Sequence, residues 1–261
     1  MGAVFRPIPS DIVPLAELGL PPVVETFAQW HRGLVLVTGP TGSGKSTTLA
    51  SIIDIVNRSR NDHITTVEDP IEFVHAHKQC LVNQREVGED THSFAVALKH
   101  ALRQDPDVIL VGEMRDLDTI QIEITAAETG HLVFGTLHTQ DAPQAVDRII
   151  DVFPAHQQQQ VRVQLAASWM AVCTQQLIPR TDGMGRAVAS EVMIVTPVIR
   201  NLIREAKTYQ IYSSLQSGAK FGMQTMDRSL ATLVRSHAVD MEVAIERCHN
   251  ESDLTRMVTS G

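Results

Sequence analysis

The chain has 261 residues, of which 43% are hydrophobic and 20% are charged. These values are ordinary for a folded protein with one sizeable core and a smaller appended unit. The formal net charge of −8 excludes a global electrostatic attraction to nucleic acid, so such a role would need a local basic surface. Three widely spaced cysteines form no CxxC pair and indicate neither a zinc site nor a disulfide framework, which fits a reducing cytosol. The sequence shows no apolar run long enough to cross a bilayer, which predicts no direct membrane insertion.

The amino-terminal stretch is rich in proline. The five residues are Pro7, Pro9, Pro14, Pro21 and Pro22. Prolines at this density remove backbone donors and stop helices, which predicts a linker over residues 1–22 or a segment that lies across a neighbouring surface. Residues 1–9 resemble the end of one strand followed by a broken connection. We therefore expect that an amino-terminal domain has been lost and that residues 1–22 are the remnant of its linker.

Short apolar runs alternate with helical patterns between residues 23 and 185. The runs are residues 34–38, 64–67, 108–111 and 132–136. Continuous apolar strands separated by helices are typical of a parallel sheet that is covered on both faces. The fold class is therefore α/β with a mostly parallel sheet, and residues 23–185 are predicted to form its domain.

The helices of this region each have an apolar face. A helix over residues 45–58 follows the first strand and a glycine-rich turn. Later stripes are Phe94, Ala97, Leu98, Ala101 and Leu102, then Leu117, Ile120, Ile124 and Ala127, then Val161, Leu165, Trp169, Val172 and Cys173. Asp90 and Thr91 are predicted to cap the first of these stripes. Since the stripes form the core, the junctions between strands and helices are left to carry chemistry.

After about residue 185 the pattern changes to helices without clear strands. Thr196 is predicted to cap a helix in which Pro197 occupies the first position. Asp240 and Ser252 are predicted to cap two further helices. Residues 186–261 are therefore interpreted as a small helical carboxy-terminal unit.

A phosphate-binding motif lies between the first strand and its helix. Residues 39–46 match the pattern GxxxxGK[ST] in full, and the flanking elements argue against a chance match. Glycines let successive N–H groups turn inward around a phosphate chain, and the helix N-terminus points at the same anion. Lys45 should reach the β- and γ-phosphates, and the Ser46 hydroxyl should ligate Mg²⁺. We predict that ATP and Mg²⁺ bind at Gly39, Pro40, Thr41, Gly42, Ser43, Gly44, Lys45, Ser46 and Thr47.

A carboxylate follows the third strand. Glu113 comes directly after Gly112, at the carboxyl edge of the sheet and beside the glycine-rich loop. There it could orient or deprotonate an attacking water, whereas the alternative is a surface carboxylate at a strand end. Many enzymes with this loop carry aspartate at the position of Gly112. Glu113 is therefore predicted to serve both the water and, through water, Mg²⁺.

Two further groups lie near strand ends. Glu68, Asp69 and Glu72 repel one another unless a cation lies among them, and a bound magnesium nucleotide would supply it. The alternative is a solvated acidic turn.

His131 and His138 bracket the fourth strand, and their odd separation turns them to opposite faces, which argues against one shared metal. His138 is level with Glu113 and could sense the γ-phosphate or a subunit boundary.

In order along the chain, these motifs resemble four boxes of the secretion ATPases. They are the Walker A box at residues 39–46, the Asp box at 66–72, the Walker B box at 108–113 and the His box at 129–138. Within that family, the residues that make up these motifs, including Gly112, are similar to those of the pilus retraction ATPases. Residues 198–202, with the sequence VIRNL, are similar to the short carboxy-terminal motif of those motors. The resemblance covers nearly the whole chain.

The resemblance implies a RecA-like core that assembles into a homohexameric ring with nucleotide between subunits. It also implies that Glu113 is the catalytic glutamate, that Glu72 is an essential carboxylate and that His131 and His138 are a functional pair. Family members carry an amino-terminal PAS-like domain whose arginines reach the neighbour's nucleotide, which agrees with the expected loss of a domain. Arg103 and Arg115 are basic residues of the core that stay unassigned.

The implied activity is Mg²⁺-dependent ATP hydrolysis that drives pilus retraction and twitching motility by turning an inner-membrane platform protein. The predicted location is the cytoplasm, at the cytoplasmic face of the inner membrane. Pilus assembly and type II secretion motors commonly carry a four-cysteine zinc element after the His box, and residues 173–180 contain no cysteine pair, which disfavours those functions. The resemblance does not distinguish the retraction motor from its sister retraction protein.

Two alternatives come from other classes of protein. A nucleic-acid translocase would also use a RecA-like core, but the net charge of −8 and the lack of basic runs argue against it and predict no nucleic-acid partner. A regulatory protein could bind ATP and signal by its bound state. The presence of both Glu113 and Glu72 argues against that hypothesis.

Overall fold

The computed structural model describes residues 8–9 and 11–260. Its strands are β1 Gly33–Thr38, β2 His63–Glu68, β3 Leu81–Glu86, β4 Val108–Val111, β5 Leu132–Leu137, β6 Trp169–Pro179 and β7 Arg186–Ile194. Its α-helices are α1 Lys45–Ser59, α2 Phe94–Ala101, α3 Leu117–Glu128, α4 Ala142–Asp151, α5 Ala155–Ser168, α6 Pro197–Arg204, α7 Ile211–Gln216, α8 Met226–Arg235, α9 Met241–Ile245 and α10 Glu251–Thr259. Short 3₁₀ helices lie at Leu15–Glu17, Pro22–Gln29, Thr208–Gln210 and Ala219–Phe221.

The seven strands form one sheet in the order β3-β2-β4-β5-β1-β6-β7. Every neighbouring pair is parallel except β6 and β7, which run antiparallel as a hairpin. The prediction of a mostly parallel α/β sheet is confirmed. Since β1 lies between β5 and β6, the loop that follows β1 has strands on both sides.

Alternate residues of β1 enter two different cores because successive side chains of a strand point to opposite faces. Leu34 and Leu36 pack with the helices α2 to α6. Val35 and Val37 pack on the other face with α1 and the 3₁₀ helix Pro22–Gln29. The sheet is therefore covered on both faces, as its continuous apolar strands predict.

Most of the helices begin at a side chain that accepts a hydrogen bond from the first turn. These N-cap residues are Ser93, Asp116, Asp141, Thr196, Thr225 and Asn250. The predicted cap at Thr196 is confirmed. The predicted caps Asp90 and Thr91 are wrong, because Ser93 accepts from the first turn of α2. Asp240 occupies the N-cap position of α9 without a side-chain hydrogen bond, and Asn250, not Ser252, caps α10.

Three of the strands differ from the sequence prediction. The helical stripe from Val161 to Cys173 is wrong beyond Ser168, because β6 begins at Trp169. β6 is buried over most of its length, and a continuous apolar run has no period that separates it from a buried helix. β7 is a strand in the region predicted to have none, and the polar edge strand β3 was not predicted.

The proline-rich stretch lies against α1. The Ser51 hydroxyl donates a hydrogen bond of 2.6 Å to the carbonyl oxygen of Val13. Leu15 is buried in the same core as Val35 and Val37. Apart from residues 8 and 9, the predicted strand end at the amino terminus lies outside the described residues.

The helices after β7 pack in two places. Ile199 and Ile203 of α6 join the main core, whereas Leu230 of α8 and Leu254 of α10 pack with residues of the β6–β7 hairpin. The domain boundaries after residues 22 and 185 stay predictions. Among residues 8–9 and 11–260, every helix is too short or too polar to span a bilayer. The three cysteines are free thiols.

Candidate functional site

Parallel strands end together, and here they bring four loops to one edge of the sheet. Thr38 at the end of β1 is level with Leu137 at the end of β5. Val111 at the end of β4 is level with Val67 of β2 and with Gly135 of β5. The glycine-rich loop, the acidic loop after β2, Glu113 and His138 therefore share this edge.

The glycine-rich loop turns sharply between β1 and α1. Gly39 has a φ of +137° and Gly44 a φ of +89°, a region of backbone space that side chains rarely adopt. α1 begins at Lys45 without a side-chain cap. Its first N–H groups are therefore available to an anion in the loop.

The structure places all nine predicted nucleotide-binding residues in this loop or in the first turn of α1. Pro40, Thr41 and Gly42 form its exposed rim. The buried residues are Gly39, Ser43 and Lys45, and the half-buried ones are Gly44, Ser46 and Thr47.

Lys45 is folded onto its own loop. Its ammonium donates hydrogen bonds of 2.9 Å to the carbonyl oxygen of Gly39 and 3.1 Å to that of Pro40. Burial lowers the pKa of Lys45, and the negative charges of Glu113 and Glu72 oppose this effect. The glycine-rich loop therefore carries a cation whose charge is stabilised by Glu113 and by Glu72 of the acidic loop.

Glu113 is held between two cationic or polar partners. Arg115 approaches Glu113 Oε2 at 2.8 Å through Nη2, and His138 Nε2 lies 3.3 Å from Glu113 Oε1. Partial burial raises the pKa of Glu113, but the hydrogen bond and charge of Arg115, together with His138, outweigh this effect and lower the pKa below its ordinary value. The carboxylate is therefore ionised at neutral pH, and its side chain is 22% exposed.

The acidic loop after β2 contains two carboxylates with different surroundings. Glu68 is half-buried, and its Oε1 accepts hydrogen bonds of 2.7 Å from the Thr66 hydroxyl and 3.2 Å from the Gln84 amide. Burial raises the pKa of Glu68, and these hydrogen bonds oppose the rise without cancelling it. Glu72 is exposed. Asp69 lies 3.9 Å from Arg115, which links this loop to Glu113.

His131 does not join the other predicted residues. It precedes β5 and therefore lies at the opposite edge of the sheet from His138. Its Nδ1 is 3.0 Å from the carbonyl oxygen of Ala126, at the end of α3. Within residues 8–9 and 11–260, no three His, Cys, Asp or Glu side chains are grouped as a metal site.

The oxygen ligands near Ser46 suit Mg²⁺. A cavity of about 30 Å³ is lined by Ser46, Glu68, Gly112 and Thr136 among other residues. Mg²⁺ prefers hydroxyl and carboxylate oxygens and usually completes its octahedron with water and substrate phosphates. The residues present therefore fit Mg²⁺, and the direct role of the Ser46 hydroxyl and the water-mediated role of Glu113 stay predictions.

Two residues of the site were not assigned from the sequence. Arg115 was noted only as an unassigned basic residue, although its place two positions after Glu113 is a usable signal. Gln175 of β6 is 1% exposed and donates a 2.7 Å hydrogen bond to the carbonyl oxygen of Ser43 in the loop. No sequence signal marks Gln175, because the start of β6, up to Cys173, is predicted as the end of a helix and the strand itself is not predicted.

The fold agrees with comparisons to known proteins. Type IV pilus retractation ATPase PilT of Pseudomonas aeruginosa is 56% identical over 246 residues, which are 94% of this chain and 71% of that protein. Type IV pilus ATPase PilU of the same organism is 42% identical over 261 residues, which are 100% of this chain and 68% of that protein. A crystal structure of the pilus retraction motor PilT with bound ADP superposes with a TM-score of 0.90 at 50% identity, over 96% of this chain and 71% of that one.

Residues 17–257 match the family described as Type II/IV secretion system protein. This range contains the glycine-rich loop, the acidic loop, Glu113 and His138. The chain belongs to the Type II/IV secretion system protein family.

Proposed function

We propose that this chain is an ATP-hydrolysing motor that powers the retraction of type IV pili. The observation that carries the proposal is the pairing of an ionised Glu113 with a phosphate-type loop at one edge of the sheet. The pilus retraction relatives support retraction as the work of this motor, because they align over nearly the whole chain.

The loop binds the nucleotide through Lys45 and the start of α1. The ammonium would leave the carbonyl oxygens of Gly39 and Pro40 for the β- and γ-phosphates, because a charged acceptor makes a stronger hydrogen bond than a neutral one. The N–H groups of α1 bind the same phosphates. When bound, Mg²⁺ would neutralise phosphate charge, with the Ser46 hydroxyl among its ligands.

Glu113 orients the attacking water and accepts its proton. Its ionised carboxylate is partly exposed, so water can reach it, and Arg115 and His138 fix its two oxygens. Glu72 adds negative charge near Lys45. Since β5 has six residues, His131 lies about 20 Å from this edge at the usual rise per residue. A contribution of His131 to hydrolysis would therefore run through a neighbouring subunit.

Two substitutions separate binding from chemistry. Glu113→Gln should retain binding of a fluorescent ADP and lose ATP hydrolysis by about two orders of magnitude or more. Lys45→Ala should weaken binding itself. Glu89→Gln is the matched control, because it makes the same chemical change at an exposed position of a surface turn. Full ATPase activity in Glu113→Gln would refute the proposed mechanism.

The assembly and its partners are part of the same proposal. We propose a homohexameric ring that binds the pilus platform protein at the cytoplasmic face of the inner membrane and works without nucleic acid. Native mass spectrometry in the presence of ADP tests the ring. Complementation of a non-retracting pilus mutant with the gene, measured as surface motility, tests retraction, and restored piliation without motility would favour an assembly motor.

A further inference from the structure

Gln175 joins the glycine-rich loop to α1 from a neighbouring strand. Its side-chain amide donates a hydrogen bond of 2.7 Å to the carbonyl oxygen of Ser43. Its amide oxygen accepts a hydrogen bond of 3.0 Å from the Thr48 hydroxyl. Gln175 is 1% exposed and Thr48 is 2% exposed. One buried amide therefore bonds to the loop on one side and to the first turns of α1 on the other.

The two glycines that bend the loop also make room for Gln175. A Cβ on Gly39 would lie 2.2 Å from the Gln175 carbonyl oxygen, and a Cβ on Gly44 would lie 3.1 Å from its amide nitrogen. The loop therefore packs against Gln175 near both of its ends. Within the loop, the hydrogen bond from the Ser43 N–H to the Pro40 carbonyl is 3.2 Å long.

The strand that carries Gln175 is itself held firmly. The hydroxyl groups of Thr38 and Thr174 lie 2.7 Å apart, which ties β6 to β1 immediately before the loop. Gln175 is opposite Ser190 of β7 in the hairpin register. The Ser190 N–H donates a 3.0 Å hydrogen bond to the Ser229 hydroxyl of α8. The amide is therefore presented from a fixed position.

We propose that Gln175 is a positioning residue that holds the phosphate loop in its binding conformation for nucleoside di- and triphosphates. The inference rests on the proposed function of this loop. Without the amide, the buried Ser43 carbonyl and the Thr48 hydroxyl lose their partner, and the loop gains conformations that do not bind. Nucleotide binding must then order the loop, which weakens affinity.

The test compares Gln175→Leu with Gln176→Leu. Gln176 is the next residue of the same strand, is half-buried and points to the opposite face, so the control makes the same chemical change without touching the loop. Gln175→Leu should raise the dissociation constant for fluorescent ADP by about tenfold, which corresponds to the loss of one or two net hydrogen bonds. The control should change it by less than about twofold.

A second measurement separates positioning from a merely structural role. The KM for ATP should rise in Gln175→Leu by about the same factor as the dissociation constant, with a much smaller change in kcat, because the hydrogen bonds of the amide go to the loop and to α1. Thr48→Val removes one of the two hydrogen bonds and should raise the dissociation constant for fluorescent ADP by about threefold. Its effect should be smaller when combined with Gln175→Leu, because the two residues share one interaction.

The outcomes are distinct. If Gln175→Leu and Thr48→Val unfold at lower urea concentration than wild type but bind ADP as tightly, the positioning role is refuted and the proposed function stands. If wild type does not bind ADP, both proposals fail. If Gln175→Leu does not fold, Thr48→Val decides alone, and an unchanged dissociation constant there also refutes the inference.

Discussion

The buried carboxyl of Glu191 makes the stability of this protein depend on pH. Its side chain lies on β7, and its Oε1 accepts a 2.9 Å hydrogen bond from the Ala142 N–H at the start of α4. Burial raises the pKa of Glu191 to about 7. The nearby charges of Asp141 and Asp227 add to this rise, and backbone hydrogen bonds from Ala142 and Met226 oppose it.

The size and sign of the effect follow from this pKa. The unfolded chain loses the Glu191 proton near its ordinary pKa of 4.5, whereas the folded chain keeps it until about pH 7. Folding stability therefore falls as the pH rises through this interval, by about 3 kcal/mol at 1.36 kcal/mol for each unit of pKa. Glu191→Gln cannot ionise, and its amide oxygen can still accept the hydrogen bond from Ala142.

We expect Glu191→Gln to be more stable than wild type at pH 8 by about 2–3 kcal/mol, and nearly equal to it at about pH 4.5. Urea unfolding of both proteins between these pH values, followed by the fluorescence of Trp30 and Trp169, gives the difference directly. Other groups titrate in both proteins and cancel. A difference that stays constant with pH, or a less stable variant at pH 8, would refute the reasoning.

Three further predictions concern the site and the core. Arg115→Ala should move the acidic limb of the ATPase pH profile to higher pH, because the Arg115 guanidinium helps to keep the pKa of Glu113 low; an unmoved limb would contradict this. Gly39→Ala should abolish detectable binding of fluorescent ADP, because its Cβ would lie 2.2 Å from a backbone oxygen. Phe134→Ala should reduce the free energy of unfolding by about 3–5 kcal/mol in urea titrations, because Phe134 is fully buried.

The sequence was sufficient for the parts of the fold with strong local signals. The strands around Val35, Val67, Val111 and Phe134 are short apolar runs, and each is a strand of the sheet. Residues 39–46 have a pattern that specifies both a loop and its ligand class. In these places local propensity and tertiary packing favour the same structure, so one sequence was enough.

The hairpin of β6 and β7 could not be predicted in the same way. Trp169 follows a helix without a glycine or proline between them, so nothing in the pattern marks the change of period. β7 is stabilised by its pairing with β6, which the pattern of β6 did not reveal, and by packing against α8, which is distant in sequence. The role of Gln175 was missed for the same reason, because it depends on which strand lies beside β1.

The predicted positions of the site residues also depended on topology. Glu113 and His138 meet because β4 and β5 are adjacent and parallel, which the sequence could only suggest. His131 and His138 belong to one predicted motif, yet the length of β5 separates them and places them at opposite edges of the sheet. The number of residues along the strand sets the distance between the two histidines, whereas their membership of one motif does not bring them together.

The antiparallel return of β7 determines where α6 begins. α6 begins at the edge of the sheet opposite the glycine-rich loop, about 20 Å away for a six-residue β1. Arg200 of α6 donates hydrogen bonds of 2.5 and 2.7 Å to the carbonyl oxygens of Ala166 and Ala167, at the end of α5. These two hydrogen bonds couple α6 to the end of α5, so we expect the VIRNL motif to move together with the main core.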